Sequence, residues 1–404
     1  MSRFPRLTET FVLYELLALM ERGIEVELYP LLRERAEVRH EAVQRVQGRV
    51  RYQPFLSFGI LRANWHFLRH RPRRYLRAVR RAFGAALGSL NFTVGALGIF
   101  PKSVRFAYEM ERRGIDHVHA HFATHPALAA LIVGELTGIP FSFTAHGSDI
   151  HVDQRGIGHK LAAAAFAVTV SDYNRRFLAE RVGAELARKL RVLHCGVDTT
   201  RFSPRSPEPA PAGEPFRFAC VASFRRVKGH PVLLEACRLL KDRGVAFECH
   251  LIGDGGTRGE IEAAVRRLGL ESEVQLHGAL PQHEVQRRMR GFDCAVLASV
   301  VDKSGRREGI PVSLMEAMAV GLPVVASHLS GIPELIEDGR EGLLVPPGDA
   351  ERFAGALERL ARSPELRRRF GEAGRRKVEA DFELGASAEK LAALIRGARP
   401  RRSA

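Results

Sequence analysis

The chain is poor in cysteine, in tryptophan and in acid. Five cysteines (Cys195, Cys220, Cys237, Cys249, Cys294) are spread through 404 residues, with no C-x-x-C pair and no metal-ligand spacing. That pattern argues against a disulfide-stapled scaffold or a zinc module and reads as buried thiols in a reducing compartment. There is no D-x-D triplet to hold a divalent cation. Residues 1–10 have no apolar core, so no secretory signal is expected there and a cytoplasmic location is. Residues 82–101 are uncharged and of membrane-spanning length, yet include Gly84, Gly88, Gly95, Gly98, Ser89, Asn91 and Thr93. A pair of buried or interfacial helices fits them better than a membrane span. The shortage of acid leaves a formal charge of +16, mostly from arginine. Such a balance favours anionic partners (phosphates, acidic lipid or nucleic acid) or reflects arginine usage in a GC-rich genome. A chain this long exceeds one ordinary core and implies two domains.

What is present is organised around residues 308–334, EGIPVSLMEAMAVGLPVVASHLSGIPE. A helix is expected to start near Pro311, because proline at a first helical position has its φ preset and lacks only an orphan N–H. Gly309 and Ile310 form the turn in front, whose amides make an anion site suited to phosphate. Glu308 lies just before the turn and Glu316 five residues into the helix, an advance of roughly 7–8 Å. Two carboxylates flanking a phosphate-binding helix end suit a sugar nucleotide. The competing reading is a pair of solvated helix charges.

Taken in order, residues 2–11 form a loop feeding a helix capped by Thr8 or Thr10, with Phe11, Leu13, Leu16, Leu17 and Met20 on its apolar face. Residues 24–29 alternate as a strand. The unit thus begins on a loop with no strand ahead of it, which a parallel sheet would want there, and an upstream strand is an expectation. Residues 34–113 are helical and basic. Arg62, Arg69, Arg71, Arg73, Arg74, Arg77, Arg80 and Arg81, interleaved with Trp65, Phe67, Leu68, Tyr75 and Leu76, make either a membrane-surface patch or a solvated helix face. Residues 116–122 read as a strand with His117, His119 and His121 on one face, site lining or core rather than metal ligands. Strand 141–144 leads to His146, at a carboxyl end beside Gly147, where open α/β sheets gather active groups. Residues 163–170 make another strand, and the proline-rich 203–215 a stiff linker. The pattern then restarts. Strand 216–222 leads to a basic loop with Arg225, Arg226 and Lys228, a phosphate cradle. Strand 247–252 ends at Gly253 and Gly255, strand 274–276 leads to Gly278, and strand 294–297 leads to the loop before Glu308. Strands alternating with helices in both halves give two doubly wound α/β domains with a cleft between them.

Several motifs stand together: FPRLTETF, HAHF, TAHGSD, VSDYNRRFL, LHCGVDTTRFSP, KGH, IGDGG, EGIPVSLMEAMAVGLPVVAS and SGIPELIEDGREGLLVPPGD. Their order resembles glycosyltransferase family 4, retaining enzymes of GT-B fold, and the FPRLTETF start resembles the colanic-acid and exopolysaccharide branch. The resemblance implies an α/β fold of two Rossmann-like domains: residues 1–200 on the acceptor side, 201–382 on the donor side, and a C-terminal helix within 383–404 crossing back. It implies that Glu308 contacts the donor sugar, Glu316 the ribose, Lys228 the diphosphate, and His146 the transferred sugar, while Gly309 and Ile310 amides hold the β-phosphate and sugar. Arg225, Gly253, Gly255, Gly278 and Pro311 complete the expected donor site, and Phe4, Pro5, Thr8 and His121 the acceptor side. Two departures stand out: Ser223 where the family has arginine, and no strand ahead of the FP motif. The implied reaction is metal-independent transfer of a hexose from a nucleoside-diphosphate sugar, with retention, to a polysaccharide or lipid-linked acceptor. An anionic membrane surface on the cytoplasmic face is a candidate partner; nucleic acid is not, because the basic run lacks any nucleic-acid fold. The alternative is a catalytically inactive sugar-nucleotide or lipid-binding protein of the same fold.

Overall fold

The structure is a computed structural model that describes residues 1–5, 9–34, 41–204 and 214–399. By its internal contacts the chain divides into two units, one of residues 1–34, 41–193 and 388–399, the other of residues 194–387. The division falls at Leu193, a little before position 200, because the Val197 amide bonds the Phe382 carbonyl (2.9 Å) and the Leu384 amide the Val197 carbonyl (3.1 Å).

The first unit begins with β1 (Arg3–Phe4), α1 (Thr10–Glu21) and β2 (Leu32–Arg33), followed by α2 (Gln44–Gln47), α3 (Phe58–His70), α4 (Pro72–Ala86) and α5 (Leu90–Arg112). Then come β3 (Val118–His121), α6 (His125–Thr137), β4 (Phe141–Ala145), α7 (Ser148–His151), α8 (Ile157–Ala163), β5 (Phe166–Thr169), α9 (Asp172–Val182), α10 (Ala184–Ala187) and β6 (Leu190–Val192). Strands β3, β4, β5 and β6 form one parallel sheet in that order. Ser57 and Ser89 cap α3 and α5 by accepting from the Ile60 and Phe92 amides. The uncharged stretch 82–101 is a helix pair, broken at residues 87–89.

Four expectations are corrected here. Residues 24–29 alternate as a strand should, yet only Leu28 makes a bridge, to Val50. A strand exists only against a partner, and a cavity of about 780 Å³ is lined both by residues 24–29 and by β3, the sheet edge. Residues 2–11 are not all loop: β1 pairs in parallel with β2, apart from the four-stranded sheet, so it does not take the place of the strand expected upstream. Thr10 opens α1, whose cap position is Glu9 with no side-chain cap bond. Of the expected strand 163–170 only Phe166–Thr169 forms, because Ala163 ends α8. Thr8 and residues 205–213 of the expected linker lie outside the described residues.

The second unit runs β7 (Phe216–Val221), α11 (His230–Asp242), β8 (Phe247–Ile252), α12 (Arg258–Arg267), β9 (Val274–Gly278), α13 (Gln282–Met289), β10 (Cys294–Leu297) and α14 (Val312–Ala319). It continues through β11 (Val324–Ser327), α15 (Ile332–Leu335), β12 (Gly342–Val345), α16 (Ala350–Arg362), α17 (Pro364–Asp381) and the start of α18 (Leu384–Ala398). Its six strands are parallel in the order β12-β11-β10-β7-β8-β9, so chain order reverses between β7 and β10. Short fully buried runs such as β10 and β11 are what a parallel sheet covered on both faces demands.

No helix of the described residues is long and apolar enough to cross a membrane. Among those residues, every exposed large apolar side chain except Val152 and Val301 falls between positions 55 and 97. On α3 these are Phe58, Leu61, Trp65 and Leu68, and on α5 Leu90, Val94 and Leu97, each set at the spacing of one helix face.

Candidate functional site

In an open α/β sheet, ligands bind beyond the carboxyl ends of the strands where strand order reverses. In the second unit that point lies between β7 and β10, and the loops following those two strands carry Lys228 and Glu308. The first loop folds into a turn at Arg226–Lys228 and closes at Gly229, whose φ of 68° is left-handed. A Cβ added there would lie 1.7 Å from the Ala298 carbonyl oxygen, so only glycine lets the two loops pass backbone to backbone. The Val300 amide bonds the Val227 carbonyl at 3.0 Å. This close passage brings Lys228 Nζ to 2.8 Å from Glu308 Oε2, with only 18% and 14% of the two side chains exposed. A largely desolvated cation and carboxylate thus meet at the switch point. Of the two arginines in the loop, Arg226 pairs with Glu260 at the surface (2.8 Å), and Arg225 is exposed.

Pro311 is the cap of α14, with Gly309 and Ile310 in the turn before it. Glu316 is no solvated helix charge. It is 7% exposed and accepts a 2.8 Å bond from Gln282 Nε2. Burial pushes its carboxyl up to about 7, against the opposing pull of Gln282 and of the Arg201 charge. Gln282 and Arg201 were not singled out from the sequence, where nothing marks a polar residue on a distant element as a partner. Gly253 and Gly255 hold the loops after β7 and β8 together: a Cβ on them would meet the Ala222 and Phe224 carbonyl oxygens at 1.9 and 2.5 Å. Gly278 accepts from the Gly253 amide at 2.9 Å.

In the first unit, His146 follows β4. Asp149 fixes its loop by accepting from the His146 and Gly147 amides (2.9 and 2.8 Å) through one oxygen and from the Ala123 amide (2.7 Å) through the other. The HGSD motif contains Asp149, although its three-amide role is visible only in the fold. Next to it, Phe122 takes a left-handed φ of 77°, a strained choice for an aromatic residue and of the kind that collects at functional sites. Its ring lies 4.8 Å from that of His146, and Phe11 lies 4.9 Å away on α1. His121, 3% exposed, brings Nδ1 to 3.3 Å from His146 Nε2. Its other nitrogen, Nε2, is 3.4 Å from Glu15 Oε1. Burial pushes His146 down to about 4, His119 down to about 3, and His121 well below its ordinary value. Glu15, His119 and His121 place ligand atoms within 4.8 Å of one another. However, His119 already spends both ring nitrogens on the Ser142 and Thr144 hydroxyls (2.8 and 2.9 Å), so the set is a hydrogen-bonded one. Phe4 is 5% exposed, packed in the core with Val12, Leu13 and Leu16. Its ring is therefore unavailable to an acceptor, and Pro5 beside it is half-buried.

Residues 8–201 match the family model described as Glycosyltransferase Family 4, and residues 204–377 match Glycosyl transferases group 1. The WcaL glycosyltransferase of Escherichia coli (strain K12), named for colanic acid biosynthesis, is 32% identical over 97% of both chains. The amylovoran biosynthesis glycosyltransferase AmsK of Erwinia amylovora is 39% identical over 52% of this chain and 51% of its own. Among solved structures, a glycosyltransferase from Rickettsia africae ESF-5 superposes with a TM-score of 0.69 at 18% identity, covering 98% of this chain and 97% of its own. Anabaena HepE in complex with UDP and glucose gives 0.68 at 16% identity, covering 97% and 96%.

Proposed function

The chain belongs to glycosyltransferase family 4, beside relatives named for colanic acid and amylovoran biosynthesis, and on that premise we propose that it transfers a hexose from a nucleoside-diphosphate sugar, with retention, to a polysaccharide or lipid-linked acceptor. The observation that carries this reading is the Lys228–Glu308 pair at the strand-order reversal. A nucleoside diphosphate placed there offers Lys228 a stronger anion than Glu308, and frees Glu308 to hold sugar hydroxyls. Arg225 and the amides at Gly309 and Ile310 add positive field at the phosphates, and α14 points its N-terminus the same way. With that much positive field the transfer needs no divalent cation. Glu316, held by Gln282, takes the ribose. The sugar C1–O(phosphate) bond breaks as positive charge builds at C1, which Glu308 stabilises. The acceptor oxygen then bonds C1 from the same face and passes its proton to the departing phosphate, whose charge Lys228 balances. His146, in the first unit, takes a substrate hydroxyl. The arginines and exposed apolar stripes of α3–α5 meet an anionic membrane, where a lipid-linked acceptor is presented.

A screen of common sugar nucleotides, read by mass spectrometry for glycosylated product and released nucleoside diphosphate, tests the reading. One donor should be consumed in the presence of a chelator, and NMR should find the product's anomeric configuration the same as the donor's. Donor binding without turnover would make the protein an inactive sugar-nucleotide binder, and an inverted product would overturn the front-face step.

A further inference from the structure

His146 ends a file of side chains whose other two members the chemistry above leaves unused. The file starts at Glu15 on α1, passes through His121 on β3 and reaches His146 after β4, with steps of 3.4 and 3.3 Å. The two rings stack with centroids 5.5 Å apart. Glu15 Oε1 and His121 Nε2 face each other across 3.4 Å, both buried and neither with a hydrogen-bond partner, so each is the group placed to satisfy the other.

A neutral imidazole carries one ring proton, so one nitrogen donates and the other accepts. Burial keeps both rings neutral. Two such rings joined nitrogen to nitrogen must therefore point the same way along the file. An ionised Glu15 can only accept. It then takes the His121 Nε2 proton bond, His121 Nδ1 accepts from His146 Nε2, and His146 is left with Nδ1 as an acceptor. A protonated Glu15 donates instead, every bond reverses, and the His146 proton moves to Nδ1.

We propose that Glu15 and His121 are positioning residues whose hydrogen-bond direction sets which nitrogen of His146 carries its proton, and so whether His146 presents Nδ1 as donor or acceptor. The catalytic consequence rests on His146 facing substrate, as in the function proposed above; the tautomer does not. The titratable and charged groups around the file are His119, held by two hydroxyls, the Met1 amine with Glu9 beside it, and Asp149 under the His146 amide. None of these groups bonds the Glu15 carboxyl. Burial pushes that carboxyl up to about 8, so the file holds the donor form of Nδ1 below that value and reverses above it.

The test is histidine tautomer NMR on ¹⁵N-histidine-labelled full-length protein, over roughly three pH units centred on that titration, with His146 assigned by loss of its signals in His146→Asn. The expected result is that His146 passes from Nδ1–H to Nε2–H as pH rises. Glu15→Gln, which cannot ionise, should leave one tautomer across the range. If Glu15→Gln yields too little folded protein, His121→Phe cuts the file in the middle and should also remove the pH dependence. A single tautomer in the wild-type protein, or the same transition in either variant, overturns the proposal. In turnover, the wild-type kcat profile should carry an inflection of about tenfold, the worth of one neutral hydrogen bond. Glu15→Gln should lack that inflection while donor KM stays within about twofold. Absence of any transfer would count against the proposed function but leave the NMR result to stand by itself.

Discussion

Glu308 and Lys228 neutralise each other at 2.8 Å, and each variant there acts on both. Glu308→Gln keeps the shape and a hydrogen bond but removes the charge that answers the positive anomeric carbon. It should lower kcat by at least about 10²-fold, roughly 2.7 kcal/mol. Free nucleoside diphosphate should bind this variant at least as tightly as the parent, because Lys228 no longer has to leave a carboxylate. Glu316→Ala should instead raise KM far more than it lowers kcat and weaken diphosphate binding, since a ribose contact serves ground and transition states alike. Calorimetry with the diphosphate alone decides between the two roles: lost binding in Glu308→Gln with normal binding in Glu316→Ala would reverse them. Much of this constellation was legible beforehand, because Gly and Pro punctuate it and the two acids sit at fixed offsets from a helix start. What was not legible was the state of each acid. The hydrogen bond that holds the buried Glu316 comes from Gln282, thirty-four residues away, and Glu15 is one acid on an otherwise apolar helix face whose partner is on β3.

At the scale of the element, α3 to α5 divide the arginine run into two populations. Arg71 pairs with Glu111 (2.7 Å), Arg81 with Glu135 (2.6 Å), and Arg74 donates to the Leu136 carbonyl (3.4 Å). For Arg69, Arg73 and Arg80 the described residues hold no ion pair. The run is therefore partly internal scaffolding, which a count of arginines could not reveal; of its spare charges Arg69 follows the exposed Leu68 on α3, and Arg73 and Arg80 lie on α4, which exposes Leu76. Each spare cation near an anionic surface is worth about 1 kcal/mol, so the triple change of Arg69, Arg73 and Arg80 to Glu should weaken liposome binding by at least roughly 100-fold. Changing Leu61 and Trp65 to Ser should weaken it while leaving its salt dependence intact. Flotation with anionic and neutral vesicles reads both effects, and equal flotation of the arginine variant would remove the membrane from the account. The segment 24–29 shows the limit of pattern reading at this scale. Its alternation is correct for a strand, but pairing is decided by the neighbour, and only Leu28 finds one.

For the whole molecule, the parallel sheet of the second unit was readable almost strand by strand, since all its strands but β9 are short, mostly buried runs rich in apolar residues. In the first unit β1 and β2 have two residues each, too few to carry any periodicity. Buried titratable groups also set a pH dependence for the whole fold. Burial pushes His117, His146 and His230 down to about 4 and His119 to about 3. The unfolded chain binds protons below about 6.5 that these native rings refuse, so each adds up to about 1.36 kcal/mol of stability per pH unit as pH rises to that value. Glu15 and Glu316, pushed up to about 8 and 7, act oppositely above 4.5, because the native state keeps protons that the unfolded chain releases. The Met1 amine, pushed down to about 6, restores part of that loss. Four rings outweigh two carboxyls below pH 6.5, so denaturant midpoints should climb steeply to about that value and then level off. A higher midpoint at pH 5 than at 7 would contradict these burial effects.

Helix α18 has a consequence of a different kind. It leaves the second unit at Ser387 and supplies the first with the buried Ala388, Leu391, Ala392 and Ile395, while Arg399 pairs with Asp116 at 3.2 Å. The first unit is thus started by the opening residues of the chain and finished only by residues 388–399. Translation adds about 5–20 residues per second, so a ribosome spends tens of seconds making the second unit while the first is still short of its last helix. A chain ended after Ser387 should show a protease-resistant second unit joined to a first that is cut readily. Quality-control proteases would then meet any incompletely synthesised copy at its oldest part, the end made first.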